Sequence, residues 1–226
     1  MTIDEYFGDW SNVIDKSELY KIIRWLKTVD QSLLCPTINN IFKAFRLCPY
    51  SRCKAIFLGQ DPYPQKGVAT GILFGNSVNT INISPSLRVI KEAAINYEVP
   101  HNRIIFDNTL ESWASQGILM INTALTCEVN KVGSHFTIWK PFISSLIRNL
   151  CEVNCGLIFV LFGNQAKLFK EDIIGPQHII EEYHPAYYAR RGEKMSPTLF
   201  ISMNNLLKSL YNESINFYIE TDYGTC

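Results

Sequence analysis

The sequence of 226 residues has no excess of either charge: 21 Lys+Arg stand against 21 Asp+Glu, with four histidines. That balance argues against tight non-specific binding to nucleic acid by bulk charge, though a local basic strip would suffice. No run of about 18 or more apolar residues occurs, so nothing in it reads as a membrane-spanning helix. The N-terminal MTIDEYFGDW is acidic and aromatic and lacks the basic and apolar regions of a secretory leader. The seven cysteines, at 35, 48, 53, 127, 151, 155 and 226, are odd in number and never spaced CxxC. That scatter argues against a zinc or iron–sulfur ligand set and for reduced thiols inside a cell. The expected compartment is the cytoplasm for a bacterial or phage protein, and the host nucleus or cytoplasm for a viral one. There is no phosphate-cradling Gly-x-x-x-x-Gly-Lys loop, internal repeat, low-complexity tract or linker-like break. The expectation is a single unit over 1–226, monomeric, with no metal, cofactor or membrane partner.

What is present is a core. Apolar residues make up 47% of the chain, enough for one sizeable α/β domain. Four short apolar runs, 54–59, 118–122, 156–163 and 178–183, read as buried strands, the first three nearly continuous. Segments of helical period lie around them: 17–29, 86–97, 139–150 and 197–210. Strand–helix alternation predicts an α/β fold, a three-layer α/β/α sandwich around a central four-stranded parallel sheet. The first fifty residues read as helical and carry no motif.

In such sheets ligands bind beyond the carboxyl ends of the strands. Those ends here are Gln60-Asp61-Pro62-Tyr63, Asn122-Thr123, Gly163-Asn164-Gln165 and Tyr183-His184-Pro185. An aspartate, an asparagine and a histidine thus meet on one rim. Taken singly, each has an ordinary reading: Asp61 as a turn or cap former, His184 as a turn histidine satisfied by backbone, Asn122 as a cap. Phe74 reads as core, and Tyr63 as a half-buried turn tyrosine.

Their joint spacing carries more. The segment GQDPYPQKGVATGILFGNS resembles the water-activating motif of family 1 uracil-DNA glycosylases, GQDPYH followed by Gly-x-Ala-x-Gly-x-x-Phe. Gly67, Ala69, Gly71 and Phe74 fall at the matching offsets. SPSLRVIKE, WASQGILMINTALT, GSHFTIW, GLIFVLFGNQAK and HPAYYARRG are similar to further segments of that family in the same order, roughly from 53 to 217. The resemblance implies an enzyme that flips uracil out of DNA and hydrolyses its N-glycosidic bond without a cofactor, starting base excision repair. It implies that Asp61 stabilises the oxocarbenium-like sugar and orients water, while His184 donates to O2 of the departing base. Asn122 would read uracil's O4 and N3–H, Phe74 would stack on the ring, and Tyr63 would stand against C5 where thymine carries a methyl. Gln60 would contribute backbone groups to the pocket floor. Contacts to the DNA strand would come from Ser84, Pro85 and Ser86 at a helix start, with Ser86 the pinching serine, and from Ser134.

Two places depart from the pattern. Pro64 stands where the family has histidine, which stiffens the turn and removes an N–H. The late loop is one residue shorter, and Ala186 replaces a serine that touches phosphate. The family's wedging leucine maps onto Tyr188, or onto Tyr187 if the gap lies earlier. A tyrosine wedge is expected there, beside Pro185, with Arg190, Arg191 and Lys194 as the basic strip. A DNA-binding or replication accessory module with secondary glycosylase activity is the alternative that this altered loop motivates. A protein inhibitor or replication partner would fit either reading. A nucleotide hydrolase is disfavoured by the missing phosphate loop.

Overall fold

A computed structural model describes residues 2–98 and 102–221. Among them lie the strands β1 (Leu34–Cys35), β2 (Ala55–Gly59), β3 (Arg103–Ile105), β4 (Ile118–Asn122), β5 (Cys127–Glu128), β6 (Ile158–Phe162), β7 (His178–Glu182) and β8 (Ile219–Thr221). The helices are α1 (Ile3–Phe7), α2 (Lys16–Leu26), α3 (Lys43–Leu47), α4 (Pro85–Ile95), α5 (Glu111–Ala114), α6 (Phe136–Val153), α7 (Gly163–Lys167), α8 (Pro185–Arg191) and α9 (Thr198–Tyr211). Of the expected features, Cys226 lies outside the described residues.

The central sheet has the order β4-β2-β6-β7 and is parallel throughout, as the apolar runs predict. Period-2 alternation divides it between two cores. Ile56, Leu58, Leu119, Ile121, Phe159 and Leu161 face the layer of α2, α3 and α6. Phe57, Met120, Val160 and Phe162 face the layer of α4, α5 and α9. Strands covered on both faces must be apolar at every position, which is why β2, β4 and β6 show no polar alternation. The edge strand β7 is only half-buried and carries Glu181 and Glu182.

The registers set the rim. Gly59 lies opposite Asn122, and Phe162 opposite Glu182, so the strands end in one row. Gln60, Thr123, Gly163 and Tyr183 follow side by side. Two small antiparallel pairs, β1 with β5 and β3 with β8, were not anticipated, since two or three residues hold too little alternation to be read. The β1–β5 pair matters because it docks the N-terminal segment beside the rim.

One expectation is corrected. The segment after His184, read as a loop, is the helix α8. Pro185 occupies its first position, where a missing N–H costs nothing, and Gly192 ends it at φ 65° in the left-handed region.

Candidate active site

The turn after β2 is braced from below. The Gln60 carbonyl accepts from Thr123 Oγ1 at 2.8 Å and from Ala124 N at 3.2 Å, fastening it to the end of β4. The Pro62 carbonyl accepts from Cys127 Sγ (3.5 Å), and that of Pro64 from Cys35 Sγ (3.6 Å) and Asn130 N (3.0 Å). Burial pushes the Cys127 thiol up to about 12, so it serves as packing and not as a nucleophile.

Asp61 projects from this turn. Its Oδ2 accepts from Gly133 N at 2.9 Å, and its Oδ1 is buried with no partner. Burial raises its pKa, opposed by the Gly133 N–H and the Gln60 side chain. Asn122, 7% exposed, likewise has a buried Oδ1 without a partner. Two unpartnered oxygens at one site are uncommon, because a buried acceptor left unsatisfied costs about 1–3 kcal/mol. They are the acceptors a ligand would fill.

His184 closes the far side. Gly163, at φ 80°, lies so near that a Cβ there would stand 2.9 Å from His184 Cβ, which is why a glycine ends β6. His184 Nδ1 accepts from Ala186 N at 3.2 Å, leaving Nε2 to carry the ring proton. Burial first, and then the Arg190 guanidinium, press its pKa down to about 4. The ring is thus a neutral donor at physiological pH. Phe74 packs edge-on against it, with ring centroids 5.4 Å apart. Phe74 adopts φ 62°, a left-handed conformation strained for a phenylalanine. Its carbonyl accepts from Tyr63 Oη at 3.0 Å.

These groups share one cavity of about 300 Å³, lined by Gln60, Asp61, Tyr63, Phe74, Asn122 and His184, together with the buried Ser86 and the exposed Arg190. That volume suits a small ring and part of what it is attached to. The cavity offers an acceptor carboxylate, an amide able to donate and accept, and a neutral imidazole donor. Among the described residues no cluster of three or more His, Cys, Asp or Glu side chains could hold a metal, and no helix is long and apolar enough to cross a membrane.

The DNA-side expectations fare differently. Ser84 caps α4: its Oγ accepts weakly from Leu87 N (3.4 Å) and donates to Tyr63 Oη at 2.5 Å. Its hydroxyl is turned inward, while Ser86 lines the cavity. Pro85 starts α4, and Pro185 is buried at the start of α8; both shape helices. Ser134 is exposed, and its Oγ accepts from Glu128 N at 2.8 Å, which leaves its proton available. His135, grouped with Ser134 in the motif, points inward to Thr126 Oγ1 at 3.0 Å. Lys194 and Arg190 are exposed. Arg191 pairs with Glu193 at 2.6 Å and lies 5.2 Å over the Tyr187 ring.

The two tyrosines separate. Tyr188, one of the two positions onto which the wedge maps, donates to Glu182 Oε1 at 2.8 Å and packs against the core on the α4 side. Tyr187 stacks on the exposed Tyr183, with centroids 4.7 Å apart and planes 17° from parallel. Residues on a short helix point where packing lets them, and the α4–α8 contact takes Tyr188.

Several contributors had no sequence signal as contributors. Ile41, from the motif-free N-terminal segment, lines the cavity. A Cβ at Gly71 would stand 1.7 Å from the Asn40 carbonyl, so that segment also presses on the motif loop. Gly133 was legible only as part of GSH, not as the N–H donor to Asp61.

Residues 45–208 match the family model described as the Uracil DNA glycosylase superfamily. A Fusobacterium nucleatum protein named Uracil-DNA glycosylase is 33% identical over 224 residues, covering 94% of this chain and 96% of that one. A Campylobacter jejuni protein of the same name is 38% identical over 173 residues, covering 75% and 73%. Among solved structures, mimivirus uracil-DNA glycosylase superposes with a TM-score of 0.72 at 23% identity, covering 96% of this chain and 93% of that one. A variant of the mimivirus protein in complex with UGI superposes with a TM-score of 0.71 at 22% identity, covering 96% and 94%.

Proposed function

The chain belongs to the uracil-DNA glycosylase superfamily, and from that premise we propose how its residues divide the work of the reaction. The activity is that of a monofunctional DNA N-glycosylase: it hydrolyses the bond between uracil and deoxyribose and leaves an abasic site for base excision repair. Bond cleavage builds positive charge on the sugar and negative charge on the base. Asp61 stabilises the first and orients the attacking water. The Gly133 N–H and the buried environment hold its carboxylate in place before substrate arrives. His184 stabilises the second through its Nε2–H, donating to O2 of the leaving base. A neutral donor fits, because a cationic one would already be stabilised by the free carboxylate nearby and would lose its advantage in the transition state.

Asn122 accepts from N3–H through its Oδ1 and donates to O4. Cytosine presents the reverse pattern and would leave buried groups unpaired. Phe74 stacks on the base, Tyr63 stands at C5, and Gln60 shapes the floor. Ser86, Ser134 and Arg190 meet the DNA strand, and Tyr187 is the ring that faces it. The observation that carries this assignment is the convergence of two buried, partnerless oxygens, on Asp61 and Asn122, with a histidine held neutral. The six unpaired cysteines among the described residues support an intracellular setting. A protein partner has its support in the neighbour solved in complex with UGI.

The test is release of free uracil from single- and double-stranded uracil-containing oligonucleotides in EDTA. Wild type is expected to release it, and Asp61→Asn with His184→Ala to abolish release. Undiminished release by the double variant would overturn the assignment.

A further inference from the structure

The loop from Ala69 to Asn76 forms one wall of the uracil pocket, and its neck is closed by a single bridge between those two residues. Asn76 is 1% exposed, as deeply buried as the core around it, yet it is polar and touches nothing a catalytic role requires. Its backbone N–H donates to the Asn108 carbonyl at 2.9 Å. Its Oδ1 accepts from Ser84 N at 2.7 Å, the residue that caps α4. Its Nδ2 is buried without a direct hydrogen-bond partner.

That hydroxyl is the centre of a small network. A phenol has one proton to donate and two lone pairs. The proton goes to the Phe74 carbonyl at 3.0 Å, and one lone pair takes the Ser84 Oγ proton at 2.5 Å. Asn76 reaches this network through Ser84, whose backbone N–H it accepts and whose hydroxyl donates to Tyr63. The other end of the side chain is equally constrained, since Pro62 and Pro64 flank Tyr63 and fix φ on both sides of it. The ring is therefore held at the backbone and at the tip.

We propose that Asn76 is a specificity-determining positioning residue that, with Ser84, locks the Tyr63 ring as a rigid wall against 5-substituted pyrimidines. The proposal rests on the reading of Tyr63 as the group facing C5 of the base. Rejection of thymine is a steric task. A pocket that yields gains or loses only about 1–3 kcal/mol on one methyl group, so a hard wall is needed for more. A ring pinned only at Cα can swing about its first two side-chain torsions. A ring pinned at its hydroxyl cannot move without breaking the Phe74 and Ser84 bonds together. The same hydroxyl holds the left-handed Phe74 turn, so the wall and the stacking ring are tied to one point.

The experiment measures kcat/KM on single-stranded oligonucleotides carrying uracil, 5-fluorouracil or thymine. Wild type is compared with Tyr63→Ala, Tyr63→Phe, Asn76→Leu, Ser84→Ala and the double variant Tyr63→Phe with Asn76→Leu. Asn76→Leu is expected to narrow the uracil-to-thymine ratio by about tenfold, with uracil kcat/KM within about threefold of wild type. In the Tyr63→Phe background, which lacks the hydroxyl, Asn76→Leu should add nothing, the non-additivity of residues acting through one atom. A purely structural asparagine would instead lower all three substrates together in either background, and that result would overturn the proposal. Should Asn76→Leu fail to fold, Ser84→Ala removes one hydroxyl from the same clamp and must narrow the ratio by itself. An unchanged ratio in Asn76→Leu or, where that variant does not fold, in Ser84→Ala, beside a relaxed ratio in Tyr63→Ala, refutes the clamp alone. An unchanged ratio in Tyr63→Ala refutes the C5 reading and the clamp with it.

Discussion

The uracil pocket and the face beside it on α8 are built on opposite terms. In the pocket, Asp61, Phe74 and Asn122 stand at strand ends or in a braced loop, with the Gly133 N–H on Asp61 and the Tyr63 hydroxyl on the Phe74 carbonyl. On α8, Tyr187, Arg190 and Arg191 project from a seven-residue helix whose inner side is taken by Tyr188. The pocket matches its family's motif without a gap, whereas the α8 segment is shortened and rewritten. The difference has a physical basis. A donor or an acceptor must sit within a few tenths of an ångström to act on a transition state. Contact with a DNA strand needs only area, charge and a π-face, which many side chains provide.

The comparison can be broken at its strong end first. Asp61→Asn keeps the shape of the pocket and removes its charge, and kcat on uracil-containing single strands should fall by about 10³-fold. A loss of less than about tenfold would place the essential electrostatics elsewhere.

At the weak end the effect should depend on the strand. Tyr187→Ala is expected to reduce kcat/KM on duplex by about 5- to 100-fold, the equivalent of one lost base–aromatic stack, and to act much less on a single strand. Equal losses on both substrates would show that Tyr187 supports the fold rather than duplex opening. Tyr188→Phe should leave both activities within about twofold and lower stability by about 1 kcal/mol in thermal melts, for the hydrogen bond lost to Glu182.

The pH dependence sharpens the same contrast. His184 remains neutral until about pH 4, so kcat/KM should show no break at 6.5. If Asp61 acts as proposed, the acidic limb should be its own, since it must be ionised and burial raises its pKa. For stability, the unfolded chain binds a proton at this histidine before the folded one does. Folding should therefore weaken as pH falls from 6.5 towards 4, by about 3 kcal/mol in full for this one group. His184→Asn should flatten that segment of the melting curve against pH. Arg190→Ala should raise the His184 pKa only slightly, since burial is the larger cause.

Much of this was legible in the chain. The apolar runs of β2, β4 and β6 show buried strands because a strand covered on both faces cannot carry polar residues. Asp61, Asn122 and His184 could be placed on one rim because parallel strands of similar length end together. The N-terminal segment could not be placed. Its contribution through Ile41 and through the Asn40 carbonyl against Gly71 is a contact of surfaces, with no periodic or chemical mark. That Ser84 caps α4 while Ser86 lines the cavity was not legible, because both occupy a first-turn context with a proline between them. Which one caps depends on where the helix begins.

By itself, then, the sequence determined the layered fold, the strand ends that meet on one rim, and the residue types that line the cavity beyond them. These follow from local pattern, since burial and turn chemistry act over a few residues. Only the tertiary structure decided that Tyr188 packs against the core while Tyr187 stacks on Tyr183, that the Gly133 N–H reaches Asp61, and that Asn76 holds Ser84, which donates to the Tyr63 hydroxyl. Each of those joins segments 8 to 72 residues apart or turns on the packing of one helix against another. Such meetings are set by how whole elements dock, and no short stretch of chain encodes them alone.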